Sequence, residues 1–210
     1  MTDRATFLTR IGEALGRRPR DPVAPPPSLD EGCVRRVSAD DPLLERFVAE
    51  VLAVGGEILR GPAAVLPATI AARLSSLGIH DVVLDEGAMR LGIGEACERE
   101  GLRRHPLDSA PEDAAGITTV RGAIAETGSV ILDAARGSPR GVSLLPRTHV
   151  AVVLEAQLVP DLCDALALPG PTPSARVWVT GPSKTADIEG VLVTGVHGPG
   201  RWIVAVAEGR

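Results

Sequence analysis

The segment over residues 181–189 carries the residue types best suited to binding an anion. It follows a candidate strand over residues 177–180, and the hydroxyls of Ser183 and Thr185 could cap a helix. Lys184 adds a positive charge, and the exposed N–H groups at the start of a helix attract phosphate or carboxylate. We predict a strand-to-helix loop that belongs to the functional site, while an ordinary helix cap explains the same residues.

The spacing in this segment differs from that of a nucleotide-binding P-loop. That loop needs one glycine directly before the lysine and another five residues earlier, where this chain has Ser183 and Trp178. Asp187 and Glu189 lie two residues apart, so on a helix their side chains would point in different directions. Asp187 is therefore the better candidate for the site, and Glu189 is assigned a structural role.

A second candidate is the turn Glu126-Thr127-Gly128, which joins two short apolar strands predicted over residues 122–125 and 129–132. A carboxylate at the end of an apolar strand is costly to bury without a partner. Glu126 could therefore act as a general base, a nucleophile or a clamp for a substrate hydroxyl. A tight turn with Gly128 at positive φ and a solvated Glu126 explains the same residues.

Two further loops contribute basic groups. The stretch over residues 133–149 is long enough to be a lid or binding loop. Its basic residues could complement an acidic ligand or remain solvated: Arg136, Arg140, Arg147 and His149. The glycines over residues 195–200 permit close backbone approach, and His197 could face the site, but a tight turn explains this segment equally well.

The composition argues against several other kinds of site. A formal charge of -5 disfavours a nucleic-acid role, because such proteins usually carry a basic face. Cys33, Cys97 and Cys163 are too far apart for a disulfide framework or an iron–sulfur cluster, and the four histidines show no metal-ligand spacing. The apolar runs are far shorter than the ~20 residues of a membrane span, and no signal core follows the N-terminus. We expect a cytoplasmic protein that binds no metal.

The pattern of helices and strands predicts how these loops are positioned. Residues 1–30 are typical of an amphipathic helix followed by a Pro-rich linker, and residues 31–210 of an α/β domain. Helices in the domain are expected from Pro42, capped by Asp41, to the glycines at 55 and 56, and over 67–77, 91–100 and 158–168. Strands are expected over 57–59, 82–84, near 103, and over 122–125, 129–132, 150–154, 177–180 and 202–207. This alternation predicts an open, largely parallel sheet with flanking helices, whose ligands gather beyond the carboxyl ends of the strands.

Four segments in this order resemble a known family. They are Ala125-Glu126-Thr127-Gly128-Ser129, Ser143-Leu144-Leu145-Pro146-Arg147-Thr148-His149, Gly181-Pro182-Ser183-Lys184-Thr185-Ala186-Asp187-Ile188-Glu189 and Gly195-Val196-His197-Gly198-Pro199. Together they resemble the LUD-domain proteins, and among these the lactate utilization protein C type. The resemblance extends from Pro42 to the C-terminus, and it implies a fold similar to that of sugar-phosphate isomerases and CoA transferases.

The resemblance also implies a function. It implies a bacterial cytoplasmic role in growth on L-lactate, in which three gene products together oxidise lactate to pyruvate. Iron–sulfur clusters are then expected only in the partner subunits, and this chain is expected to bind no cofactor. Family members often have Asp where this chain has Glu126, and Lys184 is commonly Arg or another residue. The weight of the site therefore moves to Ser183, Thr185 and Asp187.

Two other functions stay open at this point. Analogy of fold suggests a stand-alone enzyme for sugar phosphates or acyl-CoA esters, with Glu126 as its best catalytic candidate, but fold is a weak guide to function. The apolar stripe Phe7, Ile11 and Leu15 on the first helix suggests a non-catalytic module that docks a partner. A homo-oligomer is compatible with both.

Overall fold

The computed structural model describes residues 3–16, 35–134, 137–171, 173–186 and 192–209. The chain divides into two compact units, Met1–Val34 and Arg35–Arg210. In the first unit, helix α1 spans Arg4–Ala14, and the Asp3 carboxylate accepts a hydrogen bond from the backbone N–H of Ala5 at 2.7 Å. The predicted N-terminal helix is confirmed, whereas the predicted Pro-rich linker lies outside the described residues.

The described part of the second unit contains twelve strands and six α-helices. The strands are β1 Glu57–Pro62, β2 Asp81–Leu84, β3 Arg103–Arg104, β4 Ala115–Thr119, β5 Gly122–Ile124, β6 Ser129–Ala134, β7 Thr148–Leu154, β8 Leu158–Val159, β9 Ala175–Val179, β10 Lys184–Ala186, β11 Leu192–Thr194 and β12 Arg201–Glu208. The helices are α2 Leu43–Ala53, α3 Leu66–Ser76, α4 Glu86–Arg90, α5 Ile93–Arg99, α6 Gly141–Leu144 and α7 Leu162–Leu166. No helix among the described residues is long and apolar enough to cross a membrane.

The main sheet has six parallel strands in the order β1-β12-β7-β4-β2-β3. Strand β7 lies near the middle and is buried from Thr148 to Val153, as its continuous apolar run predicts for a strand covered on both faces. The final strand β12 is buried from Trp202 to Ala207. The predicted parallel α/β fold is confirmed.

Strand β4 was not predicted from the sequence, although it pairs with both β7 and β2. Its residues are Ala-Gly-Ile-Thr-Thr, so it lacks the apolar run that marks its neighbours. Gly116 explains this composition, because a Cβ atom there would lie 1.8 Å from the carbonyl oxygen of Val142 in α6. Close packing of a helix against the strand, and not strand propensity, selects the residue at this position.

Helix boundaries differ from the predictions at four places, one of them being α3, which spans Leu66–Ser76 instead of residues 67–77. Helix α2 begins one residue later than expected, and Asp41 accepts a hydrogen bond from the Ser38 backbone N–H instead of capping the helix. The helix expected over 91–100 is shorter, because Gly92 adopts a φ of 76° between α4 and α5. The helix expected over 158–168 is shorter, since its first two residues form β8 and the helix α7 spans only Leu162–Leu166.

A second, four-stranded sheet packs against one face of the main sheet, in the order β8-β5-β6-β9. Strands β5 and β6 form the predicted antiparallel hairpin, and Gly128 has the expected positive φ of 65° at its turn. The predicted strand over 177–180 is present as β9, but it pairs antiparallel with β6 and lies outside the parallel sheet.

The core is divided between the two faces of the main sheet. Successive residues of β12 alternate between them, so Ile203 and Ala205 pack with α3 and α5. Trp202 and Val204 pack on the other face, with α2 and the second sheet. The side chains on this second face of β12 therefore pack against those of the second sheet.

Candidate functional site

A cavity of about 270 Å³ lies where the second sheet meets the main sheet. Its lining comes from three of the four segments that resemble the family: Ser143, Leu144 and His149 from residues 143–149, Gly181 and Ser183 from residues 181–189, and His197, Gly198 and Pro199 from residues 195–199. Residues 177–180 and Trp202 complete the lining. Segments that are far apart in the sequence thus converge on one concave surface, which is typical of a ligand site.

The cavity lies at the amino ends of the strands. His149 is the second residue of β7 and Trp202 is the second residue of β12, and the two are register partners on adjacent parallel strands. The prediction that the site gathers beyond the carboxyl ends is wrong for this cavity. A separate cleft of about 210 Å³ does lie at the carboxyl ends of β7 and β12, but none of the predicted site residues lines it.

His149 is the most buried polar group of the cavity. It is 1% exposed, and its Nε2 atom lies 2.8 Å from the Thr118 hydroxyl on the neighbouring strand β4. Burial lowers the pKa of His149 from 6.5 to about 4, because the charged imidazolium would lose its hydration. At neutral pH the ring is therefore uncharged, and it belongs to the central strand and not to a solvated basic loop.

The arginines of the predicted basic loop are not part of this cavity. Arg147 pairs with Glu112, both with largely exposed side chains, and Arg140 is exposed. Arg136 lies outside the described residues. The described walls of the cavity therefore offer neutral hydrogen-bonding groups together with the exposed imidazole of His197.

The segment that begins at Gly181 does not lead into a helix. Residues 184–186 form strand β10, which pairs antiparallel with β11. The backbone N–H of Ser183 donates to the carbonyl of Pro199, and the N–H of Gly195 donates to the carbonyl of Ser183, both at 2.9 Å. These bonds hold the segment in an extended conformation, so the predicted helix cap is wrong, whereas anion binding by this segment stays a prediction.

The side chains of this segment have separate roles. Ser183 is half-buried and lines the cavity, with its Cβ atom 3.5 Å from the position that a Cβ would take at Gly198. Lys184 donates from Nζ to the carbonyl oxygen of Val54 at 2.6 Å, just beyond the last helical residue of α2. A cation there stabilises the carbonyls left free at a helix end. Thr185 lies within β10, and Asp187 lies outside the described residues.

The turn at Glu126, Thr127 and Gly128 does not line the cavity. The Glu126 backbone N–H donates to the carbonyl of Pro160, and Gly128 packs so closely on α2 that a Cβ there would lie 2.6 Å from the Val51 nitrogen. The structure therefore supports the alternative of a tight turn for Gly128. It does not bring Glu126 together with Ser183 and His197 among the cavity walls.

A chain of three hydroxyls connects this turn to the cavity. The Oγ1 atom of Thr127 lies 2.7 Å from the Ser129 Oγ, which lies 2.6 Å from the Thr180 Oγ1. Thr180 is a cavity residue, so Thr127 supports the wall without lining it. Thus the segment over residues 125–129 contacts the cavity wall through side-chain hydrogen bonds.

Both tryptophans of the chain, Trp178 and Trp202, line the cavity. Sequence reasoning did not assign either of them to the site. Composition was the one signal that could have indicated them. The chain has two tryptophans and no tyrosine, so few of its side chains are both large, aromatic and able to form hydrogen bonds. Their approach to the cavity depends on the pairing of β9 with β6 and of β12 with β7, which local patterns do not specify.

The described residues contain no group of three or more His, Cys, Asp or Glu side chains arranged to hold a metal ion. Burial raises the pKa of the Cys97 thiol to about 11, so this cysteine stays protonated and unreactive at neutral pH. Cys163 is half-buried, and Cys33 lies outside the described residues. The groups that the cavity does present are hydroxyls, imidazoles and indoles, which suit hydrogen bonding to a small polar molecule.

A parallel α/β sheet with a second sheet packed on one face, and a cavity between them, defines the architecture of this protein. Residues 63–206 match the LUD domain, so the chain belongs to the LUD-domain family. The match includes all four sequence segments that resemble the family. A solved structure of a DUF162 family protein from Deinococcus radiodurans has a TM-score of 0.53 and 26% identity, covering 79% of this chain and 96% of that one.

Several bacterial relatives are named lactate utilization protein C. The relative from Geobacillus kaustophilus is 28% identical over 99% of this chain and 97% of its own length. The relative from Bacillus velezensis is 28% identical over 95% of this chain and 93% of its own length. The one from Bacillus licheniformis is 40% identical over a shorter region, 45% of this chain and 42% of that protein.

Proposed function

We propose that this protein takes part in bacterial L-lactate utilization, acting with iron–sulfur partner proteins in the oxidation of L-lactate to pyruvate. The observation that carries the proposal is the convergence of three family segments on one cavity, in a chain whose lactate utilization protein C relatives align over nearly its full length. The proposed location is the cytoplasm, as expected from the sequence.

The chemistry of the cavity supports a small carboxylate as its ligand. The volume of about 270 Å³ lies just below the usual range for drug-sized ligands, which suits a smaller molecule. The cavity walls combine apolar side chains with the Ser183 hydroxyl and the His149 and His197 rings. Oxidation of L-lactate to pyruvate releases two electrons and two protons. In the proposed complex the iron–sulfur proteins accept the electrons, while this chain binds and orients the acid.

Growth of the source bacterium tests this proposal. A clean deletion of the gene is expected to abolish growth on L-lactate while leaving growth on glucose normal, and the wild-type gene is expected to restore it. A strain complemented with Ser183→Ala is expected to grow more slowly on L-lactate, because loss of one hydrogen bond of about 1 kcal/mol weakens ligand binding several-fold.

The matched control is Ser109→Ala, which changes an exposed serine whose hydroxyl donates to the nearby carbonyl of Pro106 at 3.4 Å. This variant is expected to restore growth fully. Normal growth of the deletion strain on L-lactate would contradict the proposed function. Equal growth of both complemented strains would show that the Ser183 side of the cavity is not needed for that function.

A further inference from the structure

One edge of strand β9 has no neighbouring strand among the described residues. The second sheet has the order β8-β5-β6-β9, so β9 is its last strand and pairs with β6 alone. The outer edge of such a strand carries backbone N–H and C=O groups that no strand satisfies. Residues 175–179 are half-buried, so these groups need a partner other than the bulk solvent alone.

The hydrogen bonds of β6 identify which groups face that edge. The carbonyl of Ile131 accepts a bond of 2.7 Å from the N–H of Arg121, just before β5, so the backbone polar groups of Ile131 point toward β5. Trp178 is the register partner of Ile131 in the antiparallel pair of β6 and β9. Directly opposed residues in such a pair exchange both hydrogen bonds or neither, so the N–H and C=O of Trp178 point to the free edge.

The free edge of β9 borders the cavity. Four consecutive residues, 177–180, all line it. Because the side chains of a strand alternate between its two faces, an unbroken run of lining residues indicates that the strand presents its edge to the cavity. Trp178 lies inside this run. Outside the strand pairing, the described part of the chain forms no backbone hydrogen bond with Trp178.

The shape of the cavity favours a small molecule over an extended peptide as the partner of this edge. Beyond Thr180 the wall continues with Gly181 and Ser183, and α6 adds Ser143 and Leu144, within a volume of about 270 Å³. A neighbouring donor and acceptor suit a molecule that carries the complementary pair. A 2-hydroxy acid does so, since its carboxylate accepts and the hydroxyl on the adjacent carbon donates.

We propose that the backbone of Trp178 binds a small 2-hydroxy acid, with its N–H donating to a carboxylate oxygen and its C=O accepting from the 2-hydroxyl. The inference rests on the proposed function and deepens it by naming the groups that bind the acid. It also gives the site a preference for the hydroxy acid over the corresponding 2-oxo acid. The oxo acid has no hydroxyl to donate and would leave the carbonyl unpaired.

Selective labelling tests the contact with the N–H. The chain contains two tryptophans, so the full-length protein labelled with ¹⁵N-tryptophan is expected to show two backbone amide signals, and Trp178→Phe assigns them. Addition of L-lactate is expected to shift the Trp178 amide signal in a saturable manner. The Trp202 amide is the internal control, because β12 is paired on both edges, and sodium chloride is the control for ionic strength. Both controls are expected to give far smaller shifts.

Calorimetric titration with related acids tests the contact with the carbonyl. Propionate lacks the hydroxyl, and pyruvate has an oxo group in its place. Each is expected to bind roughly 10-fold more weakly than L-lactate, as the loss of one hydrogen bond to a shielded carbonyl does.

A backbone variant removes the N–H alone. Replacement of Trp178 with its α-hydroxy acid analogue puts an ester oxygen in place of the N–H and keeps the indole. This variant is expected to bind L-lactate roughly 10-fold more weakly. The matched control is Trp178→Phe, which keeps the N–H and changes only a side chain packed against Ile124 and Ile131, and it is expected to lose far less affinity. Urea denaturation shows whether both variants are folded.

The outcomes separate this inference from the proposed function. Binding of L-lactate with an unmoved Trp178 amide signal, or with unchanged affinity in the folded ester variant, would overturn the role of the N–H and leave the proposed function standing. Equal affinities for L-lactate, propionate and pyruvate would overturn the role of the carbonyl. Absence of L-lactate binding to the wild-type protein would overturn both this inference and the proposed ligand, and the growth experiment would then decide the role in lactate utilization independently.

Discussion

The position of His149 shows how a residue acquires properties that its neighbours in sequence do not reveal. His149 lies in the central strand β7, between Thr148 and Val150, and its ring is buried. Its Nε2 atom forms a hydrogen bond with the Thr118 hydroxyl on β4. Burial then lowers its pKa to about 4. The result is a neutral imidazole at the site, which can exchange hydrogen bonds with a ligand without adding charge.

The pKa of His149 leads to a prediction about stability. The unfolded chain binds a proton at this histidine with a pKa of 6.5, but the folded protein binds it only with a pKa of about 4. Protons therefore favour the unfolded state, so this contribution is fully present above pH 6.5 and is lost as the pH falls to about 4. The unfolding free energy of the wild type is therefore expected to decrease as the pH falls from 6.5 to about 4. His149→Gln has no titrating group at this position, so its decrease is expected to be smaller by about 3 kcal/mol.

Urea denaturation of the wild type and of His149→Gln at a series of pH values measures this difference. His197→Gln is the matched control, since the His197 side chain is exposed, and it is expected to follow the wild-type profile. Parallel profiles for the wild type and His149→Gln would show that His149 is not buried as a neutral ring.

At the scale of elements, the cavity depends on close contacts between short segments. Helix α6 carries Ser143 and Leu144 to the cavity, and it approaches β4 at Gly116. On the other side, the Lys184 contact with Val54 holds the start of β10 against the end of α2. These contacts position loops that are too short to hold a conformation by themselves.

Gly116→Ala tests the contact between α6 and β4. The added Cβ would lie 1.8 Å from the Val142 carbonyl, so the helix must move, and we expect the unfolding free energy to fall by about 1–3 kcal/mol. The displacement also moves Ser143, so ligand binding in the cavity is expected to weaken. Urea denaturation and calorimetric titration measure the two effects.

The control is Gly61→Ala in β1, another glycine-to-alanine change in the same sheet. Its nearest neighbour would be a Val65 methyl carbon at 3.8 Å, which is an ordinary contact. This variant is expected to change stability by no more than about 0.5 kcal/mol. Equal stability of Gly116→Ala and the wild type would mean that α6 does not pack on β4 as described.

At the scale of the whole molecule, residues 35–210 form one compact unit in which both sheets share a core. Phe47 of α2 is fully buried in that core, together with Trp202 of the main sheet and Val130 of the second sheet. The cavity exists only while both sheets are folded, because one sheet supplies Trp202 and the other supplies Trp178. We therefore expect ligand binding in this cavity to be coupled to folding.

Phe47→Ala is expected to lower the unfolding free energy by about 3–5 kcal/mol, because it leaves a large void between the sheets. The urea transitions followed by tryptophan fluorescence and by far-ultraviolet circular dichroism are expected to coincide and to shift together. Phe7→Ala, the other phenylalanine and 57% exposed, is expected to change stability by at most about 0.5 kcal/mol. A fluorescence transition that precedes the dichroism transition would contradict a single cooperative unit.

Much of the fold could be predicted because periodicity and turn chemistry are local. The apolar run of β7, the Pro in the first turn of α3 and Gly78 just after it, and the Gly128 turn each follow from a few adjacent residues. The structure brings only some of the predicted site residues together in one cavity. Ser183 and His197 do line the cavity, but Glu126 does not, and the expected helix after Gly181 is a strand.

By itself the sequence determined the α/β class, the strands with continuous apolar runs, and the four segments that identify the LUD-domain family. Only the tertiary structure decided that β9 lies outside the parallel sheet and that Lys184 bonds to the end of α2. It also decided that the Trp202 indole N–H has no hydrogen-bond partner among the described residues. The reason is physical. Local propensity depends on neighbours in sequence, whereas strand register and the partners of buried polar groups depend on which distant segments pack together.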